Sequence, residues 1–79
     1  MAREIRLSEM KPGMKGYIVS LAEGSDLRRR LEDLGFVAGM AVDCVERSPL
    51  GNPSAYRVCD TVIALRSQDA DVVTVRTAV

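Results

Sequence analysis

Histidine and tryptophan are absent from this chain, and net charge is absent with them. The sequence has two cysteines, and its acidic and basic residues balance at 11 each. Without histidine, most Ser/His and Cys/His catalytic sites and the metal sites that use imidazole are excluded. Zero net charge and 4% aromatic residues argue against a nucleic-acid-binding domain, which is normally basic and stacks bases on aromatic rings.

The sequence also lacks long apolar runs. None approaches the ~20 residues of a membrane-spanning helix, and no signal-peptide pattern opens the chain. We therefore expect no membrane insertion and a cytoplasmic location, where two cysteines are most simply free thiols. With 79 residues, 47% of them hydrophobic, the chain fits a single domain over residues 1–79 with a small core.

One short helix is predicted at about residues 26–34. Leu27, Leu31 and Leu34 recur there with helical spacing, which predicts one apolar stripe that packs into the core. Gly35 follows where a residue with left-handed backbone often ends a helix.

The rest of the chain predicts β-structure. Five strand-like segments lie between turn signals, at about residues 15–22, 40–47, 54–59, 62–66 and 72–76. In the first, alternation puts Tyr17 and Leu21 on one face and Ile18 on the other. In the second, Val45 interrupts the alternation, which indicates a β-bulge or a bend. The chain is therefore predicted to be mainly β, a small barrel of about five antiparallel strands with one short helix.

Six short segments follow one another in an order found in a known family. They are LSEMKPG at 7–13, GYI at 16–18, RLEDLGFVAG at 30–39, PLGNP at 49–53, IALR at 63–66, and Ala70 before the last strand. In this order they resemble the FeoA family, small cytoplasmic accessory proteins of bacterial ferrous iron uptake. The pairing of the third segment with the fourth is the most specific part of the resemblance.

The resemblance implies an SH3-like barrel that binds the cytosolic part of a FeoB-type ferrous iron transporter, which carries a GTPase domain. A similar barrel also occurs as the C-terminal domain of iron-dependent repressors, where it makes protein contacts. The family's usual residue at position 52 is aspartate. Asn52 removes that charge, which weakens the case for a cation in this loop.

Two surfaces are candidates for partner binding. The loop at 49–53 has two prolines around a glycine and carries Leu50 at its tip, so it can dock with little loss of entropy. On the helix, the run Arg28-Arg29-Arg30 can dock an acidic surface, supply an arginine to the partner's GTPase, or remain a solvated face beside Glu32. The predicted partner-binding residues are Arg28, Arg29, Pro49, Leu50, Gly51, Asn52 and Pro53.

Cys44 and Cys59 lie on the two strands that this loop joins. A hairpin centred near Gly51 would place Cys44 close to Val58 or Cys59. As cross-strand neighbours, two thiolates could share a soft metal ion such as Zn²⁺ or Fe²⁺. A structural zinc site, however, needs about four ligands and a catalytic site three. Two buried free thiols are therefore the preferred interpretation, with Cys44 and Cys59 as the candidate metal ligands if a metal binds.

No nucleophile–base pair or phosphate-binding glycine motif is visible, so we predict a binding module and no enzyme or catalytic residue. We expect it to bind the cytosolic domain of the FeoB-type transporter, which recruits it to the inner face of the membrane, and to modulate the transport or GTPase cycle without a required cofactor. The alternative is a metal-responsive regulatory domain that binds Fe²⁺ or Zn²⁺ directly. An uncovered edge strand also leaves pairing between copies open.

Overall fold

The computed structural model of the chain describes residues 2–23 and 26–78, and the elements named here belong to that part. Its strands are β1 Ala2–Arg6, β2 Lys15–Leu21, β3 Ala41–Arg47, β4 Ser54–Val58, β5 Thr61–Leu65 and β6 Val73–Ala78. Its helices are α1 Asp26–Asp33 and the short α2 Ser67–Ala70, with a 3₁₀ turn at Leu7–Glu9. None of these helices is long and apolar enough to cross a membrane.

The six described strands form one antiparallel sheet in the order β1-β6-β2-β3-β4-β5. β6 lies between β1 and β2, so the last strand of the chain joins the two N-terminal strands. β3, β4 and β5 follow as successive hairpins. The sheet bends around one hydrophobic core as a partly open barrel, and the prediction of a mainly β fold with one short helix before β3 is confirmed.

The predicted set of strands omits β1. Its sequence, AREIR, has a single buried apolar residue, Ile5, among exposed and mostly charged neighbours, so it carries little strand periodicity. β1 forms because β6 offers it a partner: Ile5 lies opposite Val75, a fully buried residue at the centre of the core.

Two β-bulges decide which side chains face the core. The register of β3 shifts at Val45, which confirms the predicted bulge. A second shift, at Val19 in β2, reverses the alternation, so that Ile18 and Leu21 are both buried while Tyr17 faces solvent. The prediction that Tyr17 and Leu21 share a face is therefore wrong, because the extra residue changes the side from which Leu21 projects.

α1 ends in a Schellman motif. The N–H of Phe36 donates to the carbonyl oxygen of Leu31 at 3.0 Å, and Gly35 has a φ of 112°. The turn brings Phe36 into the same core cluster as Leu31, with Leu27 partly buried against that cluster. Leu34 is 48% exposed, so its predicted place in the core is wrong. The chain leaves the helix at that residue, and Phe36 takes its place in the core.

β2 and β6 approach closely at Gly16. A Cβ at this position would lie 2.6 Å from the carbonyl oxygen of Arg76 and 2.9 Å from Cγ1 of Val75. Glycine is thus required by the spacing of the two strands, because the nearest obstacle is backbone and cannot move aside alone.

Gly16→Ala is expected to lower the free energy of unfolding by about 2 kcal/mol or more, since β2 and β6 must separate to accept the methyl group. Urea denaturation measures this. The matched control is Ser20→Ala, on the exposed side of the same strand, which we expect to stay within about 0.5 kcal/mol of the wild type. Equal stabilities of the two variants would contradict the close approach.

Candidate functional site

The loop between β3 and β4 is closed at its base and exposes Leu50. The N–H of Ser48 donates to the carbonyl oxygen of Pro53 at 3.2 Å, and the N–H of Gly51 donates to that of Ser48 at 2.8 Å. Leu50 is 94% exposed, as the sequence predicts for a loop tip, and Pro49, Gly51 and Pro53 are exposed beside it. An apolar side chain on a turn closed by backbone hydrogen bonds offers a partner area at low entropic cost.

Asn52 has a structural role that the sequence does not indicate. Its Oδ1 accepts a hydrogen bond from the N–H of Ser67 at 2.9 Å, and its Nδ2 donates to the Ser67 Oγ at 3.3 Å. Ser67 is the first residue of α2, whose first amide groups have no partner within the helix. Asn52 therefore joins the loop to the start of α2, and aspartate would supply the same acceptor.

The arginine face of α1 divides into paired and solvent-exposed members. Arg28 makes ion pairs with Glu23 at 3.2 Å and Glu32 at 3.4 Å. The hydrogen bond that Arg28 donates to Glu23, and then the one that it donates to Glu32, raise the pKa of Arg28. Arg29 and Arg30 are exposed and make no ion pair with any residue in the described part of the chain. Arg28 thus forms ion pairs inside the protein, whereas Arg29 and Arg30 are available to a partner.

The two predicted surfaces lie on different parts of the sheet. A Cβ at Gly35, just after α1, would lie 3.0 Å from the Cys59 Sγ in the turn that follows β4. The exposed loop precedes β4, so the loop and the C-terminal end of α1 sit at opposite ends of that strand.

The structure does not bring the two cysteines together. Cys44 lies opposite Tyr56, in the middle of β4, whereas Cys59 comes three residues later, in the turn that follows β4. Cys44 is buried, and burial raises the pKa of its thiol, whereas Cys59 is exposed. The expectation of two buried, neighbouring thiols is therefore wrong for Cys59. Residues 2–23 and 26–78 contain no group of three or more His, Cys, Asp or Glu side chains placed to hold a metal ion.

A groove of about 490 Å³, which was not predicted from the sequence, lies on the outer face of the sheet. Tyr17 lines it together with Lys15, Arg57 and Arg76, and Arg57 is paired with Asp43 at 3.4 Å. Tyr17 faces this groove because it alternates with the buried residues Gly16 and Ile18. The sequence did contain a signal for this groove, because strand alternation places its cationic residues on the same face of the sheet.

These features define a small SH3-like barrel with an exposed apolar loop. Residues 5–77 match the model of the FeoA domain, and the chain belongs to the FeoA family, a family of small accessory domains of ferrous iron transport. The Fe(2+) transport protein A/Fe(2+) transporter FeoB fusion protein of Porphyromonas gingivalis is 36% identical to it over 66 residues. That match covers 84% of this chain and 8% of the fusion protein, so the chain spans a small part of that relative's length.

Solved structures of FeoA proteins share the fold. The crystal structure of an iron uptake regulatory protein (FeoA) matches with a TM-score of 0.86 and 32% identity, over 96% of this chain and all of that one. FeoA of Stenotrophomonas maltophilia, solved in complex with zinc and described as an SH3 domain protein, matches with a TM-score of 0.81 and 33% identity. This second match covers 90% of this chain and 88% of that one.

Asn52→Ala is expected to lower the free energy of unfolding by about 1 kcal/mol, because the first amide of α2 loses its acceptor. Asn52→Asp keeps an acceptor and adds a negative charge at a helix start, so it is expected to stay within about 0.5 kcal/mol of the wild type. Thermal and urea unfolding of the three proteins check this. A neutral Asn52→Ala would show that the loop does not depend on α2.

Proposed function

We propose that this protein is an accessory subunit of a FeoB-type ferrous iron transporter, that it binds the transporter's cytosolic domain and that it modulates the transport or GTPase cycle. One observation carries the proposal. The Porphyromonas gingivalis relative joins a FeoA-like segment and a FeoB transporter in one chain. Covalent linkage keeps two modules at high local concentration, which is useful when they act on each other.

The loop between β3 and β4 is the proposed anchor of this contact. Leu50 projects into solvent, and the backbone hydrogen bonds at Ser48 and the Asn52–Ser67 contact already fix the loop's position. Burying a fully exposed leucine contributes roughly 1.5–3 kcal/mol, and a fixed loop loses little of this to ordering. A hydrophobic pocket on the transporter domain is the matching surface.

The exposed arginines of α1 form the second proposed contact. Arg29 and Arg30 have no ion-pair partner in the described part of the chain, so an acidic patch on the transporter domain gains attraction without breaking an existing pair. Arg28 is held by Glu23 and Glu32 and is proposed to orient this face. Contacts between charged groups of this kind mainly speed association and set its orientation.

Binding modulates a cycle only if the partner's states differ in affinity for this protein. We therefore propose that the nucleotide state of the transporter domain changes the affinity for the loop. We propose that this contact recruits the protein to the inner face of the membrane, on the cytoplasmic side where the partner domain is expected.

Direct metal binding is the second candidate, and the zinc complex of the Stenotrophomonas maltophilia relative favours it. In this chain the proposed ligands would be Cys44 or Cys59 with Zn²⁺ or Fe²⁺. The cysteines are separated along the sheet, and Cys44 is buried. This hypothesis requires stoichiometric binding that is lost in Cys44→Ser or Cys59→Ser, whereas the transporter contact requires no metal or other cofactor.

Leu50→Asp is expected to weaken binding to the purified cytosolic domain of the transporter by about tenfold or more, because a charge replaces the anchoring side chain. Calorimetry or interferometry, with and without guanine nucleotide, measures the affinity. Ser20→Asp is the control, since it adds the same charge at an exposed position of β2.

Equal binding of wild type and Leu50→Asp would remove the loop from the interface. The absence of binding in every nucleotide state would overturn the proposed partner domain.

A further inference from the structure

β5 is an edge strand without the usual protection. In the described part of the chain it pairs with β4 alone, so its other side offers unpaired backbone groups. Natural edge strands are commonly blocked by charged residues or proline. β5 reads TVIAL and has neither, whereas the opposite edge, β1, carries Arg3, Glu4 and Arg6.

The turn before β5 determines which backbone groups point outward. Val58 and Thr61 flank a two-residue turn and form a hydrogen-bonded pair within the hairpin. The backbone groups of an antiparallel strand point to its two sides in alternation, so the N–H and C=O of Ile63 also point toward β4. The N–H and C=O groups of Val62 and Ala64 are therefore the ones at the free edge.

We propose that β5 pairs with β5 of a second copy of this chain, antiparallel, about a two-fold axis at Ile63. In this register, Val62 lies opposite Ala64 of the partner subunit, and Ile63 lies opposite Ile63 of the partner subunit. The outward N–H and C=O groups of Val62 then bond to those of Ala64 of the partner subunit. This pairing occurs twice, once on each side of the axis, as an isologous interface requires. A register shifted by one residue would put the outward groups of Val62 opposite the partner subunit's Ile63, whose N–H and C=O already bond to β4.

Charges at the ends of β5 select the second copy as the occupant. Asp60 precedes the strand and Arg66 follows it, each three residues from Ile63. The two-fold register therefore places Asp60 near Arg66 of the partner subunit at both ends of the pairing. Both residues are exposed, and neither makes an ion pair with another residue of the described part of the chain.

The side chains between these ends fit the same register. Val62, 54% exposed, and Ala64, also exposed, project from the outer face and would cover each other across the axis. Leu65 and the partly buried Ile63 project inward, where they extend the hydrophobic core toward the partner subunit. The paired strands are short and cover less area than a standard interface, so we expect a weak dimer that dissociates on dilution.

The test is sedimentation over a concentration series up to the millimolar range. Wild type is expected to follow a monomer–dimer equilibrium. Asp60→Lys and Arg66→Glu each place like charges opposite one another at both ends and are expected to weaken association by about tenfold or more. Arg3→Glu, a charge reversal on the other edge strand, is the control and is expected to associate like wild type.

Mixing the two variants separates the proposed register from simple misfolding. An Asp60→Lys copy and an Arg66→Glu copy have opposite charges at both ends, so the mixture is expected to associate about as well as wild type. Three results would overturn the proposal: a wild type that stays monomeric throughout, single variants that associate as wild type does, or a mixture that associates no better than either variant alone.

Discussion

β2 and β6 pair from Gly16 opposite Thr77 to Leu21 opposite Val73, which brings the last strand of the chain against one near its start. β6 also pairs with β1, and β2 also pairs with β3, so this contact joins the two halves of the sheet. The pairing is possible because Gly16 has no side chain where the Arg76 carbonyl approaches.

The proposed docking loop is connected to this central pairing from two sides. Arg47, just before the loop, donates through its guanidinium to the carbonyl oxygen of Met10 at 2.8 Å, which joins the loop's base to the N-terminal turn. Asn52 joins the loop to Ser67 in α2, directly ahead of β6. Leu50 is thus presented from a rigid base while it remains exposed. This arrangement suits a module whose affinity depends on preorganisation.

Local chemistry explains which features could be predicted from the sequence. Gly35 ends α1 and Val45 forms a bulge because neighbouring residues decide both, and the fold class follows from the turns and strand-like segments. The exposed Leu50 was likewise predictable from the two prolines and the glycine around it.

Features that depend on distant pairing could not be predicted in this way. β1 exists because β6 is beside it, and the bulge at Val19 puts Leu21 in the core although Tyr17, which lines the outer groove, faces solvent. Cys44 is separated from Cys59 because the hairpin turn sets the register next to the loop and the bulge at Val45 moves it by one further residue. The role of Asn52 depends on a residue fifteen positions away, which no local pattern indicates. The exposed tip of the candidate site was therefore predictable from the sequence, whereas the hydrogen bonds that hold the loop against α2 were not.

The most direct test of the account is an amide chemical-shift titration of the isotope-labelled protein with the unlabelled cytosolic domain of the transporter. If the loop and the arginine face of α1 dock the transporter domain, the shifts are expected to concentrate at residues 49–53 and around Arg29. Shifts confined to the outer groove around Tyr17 and Arg57 would contradict the proposed docking surface, and the absence of any shift would contradict the proposed partner.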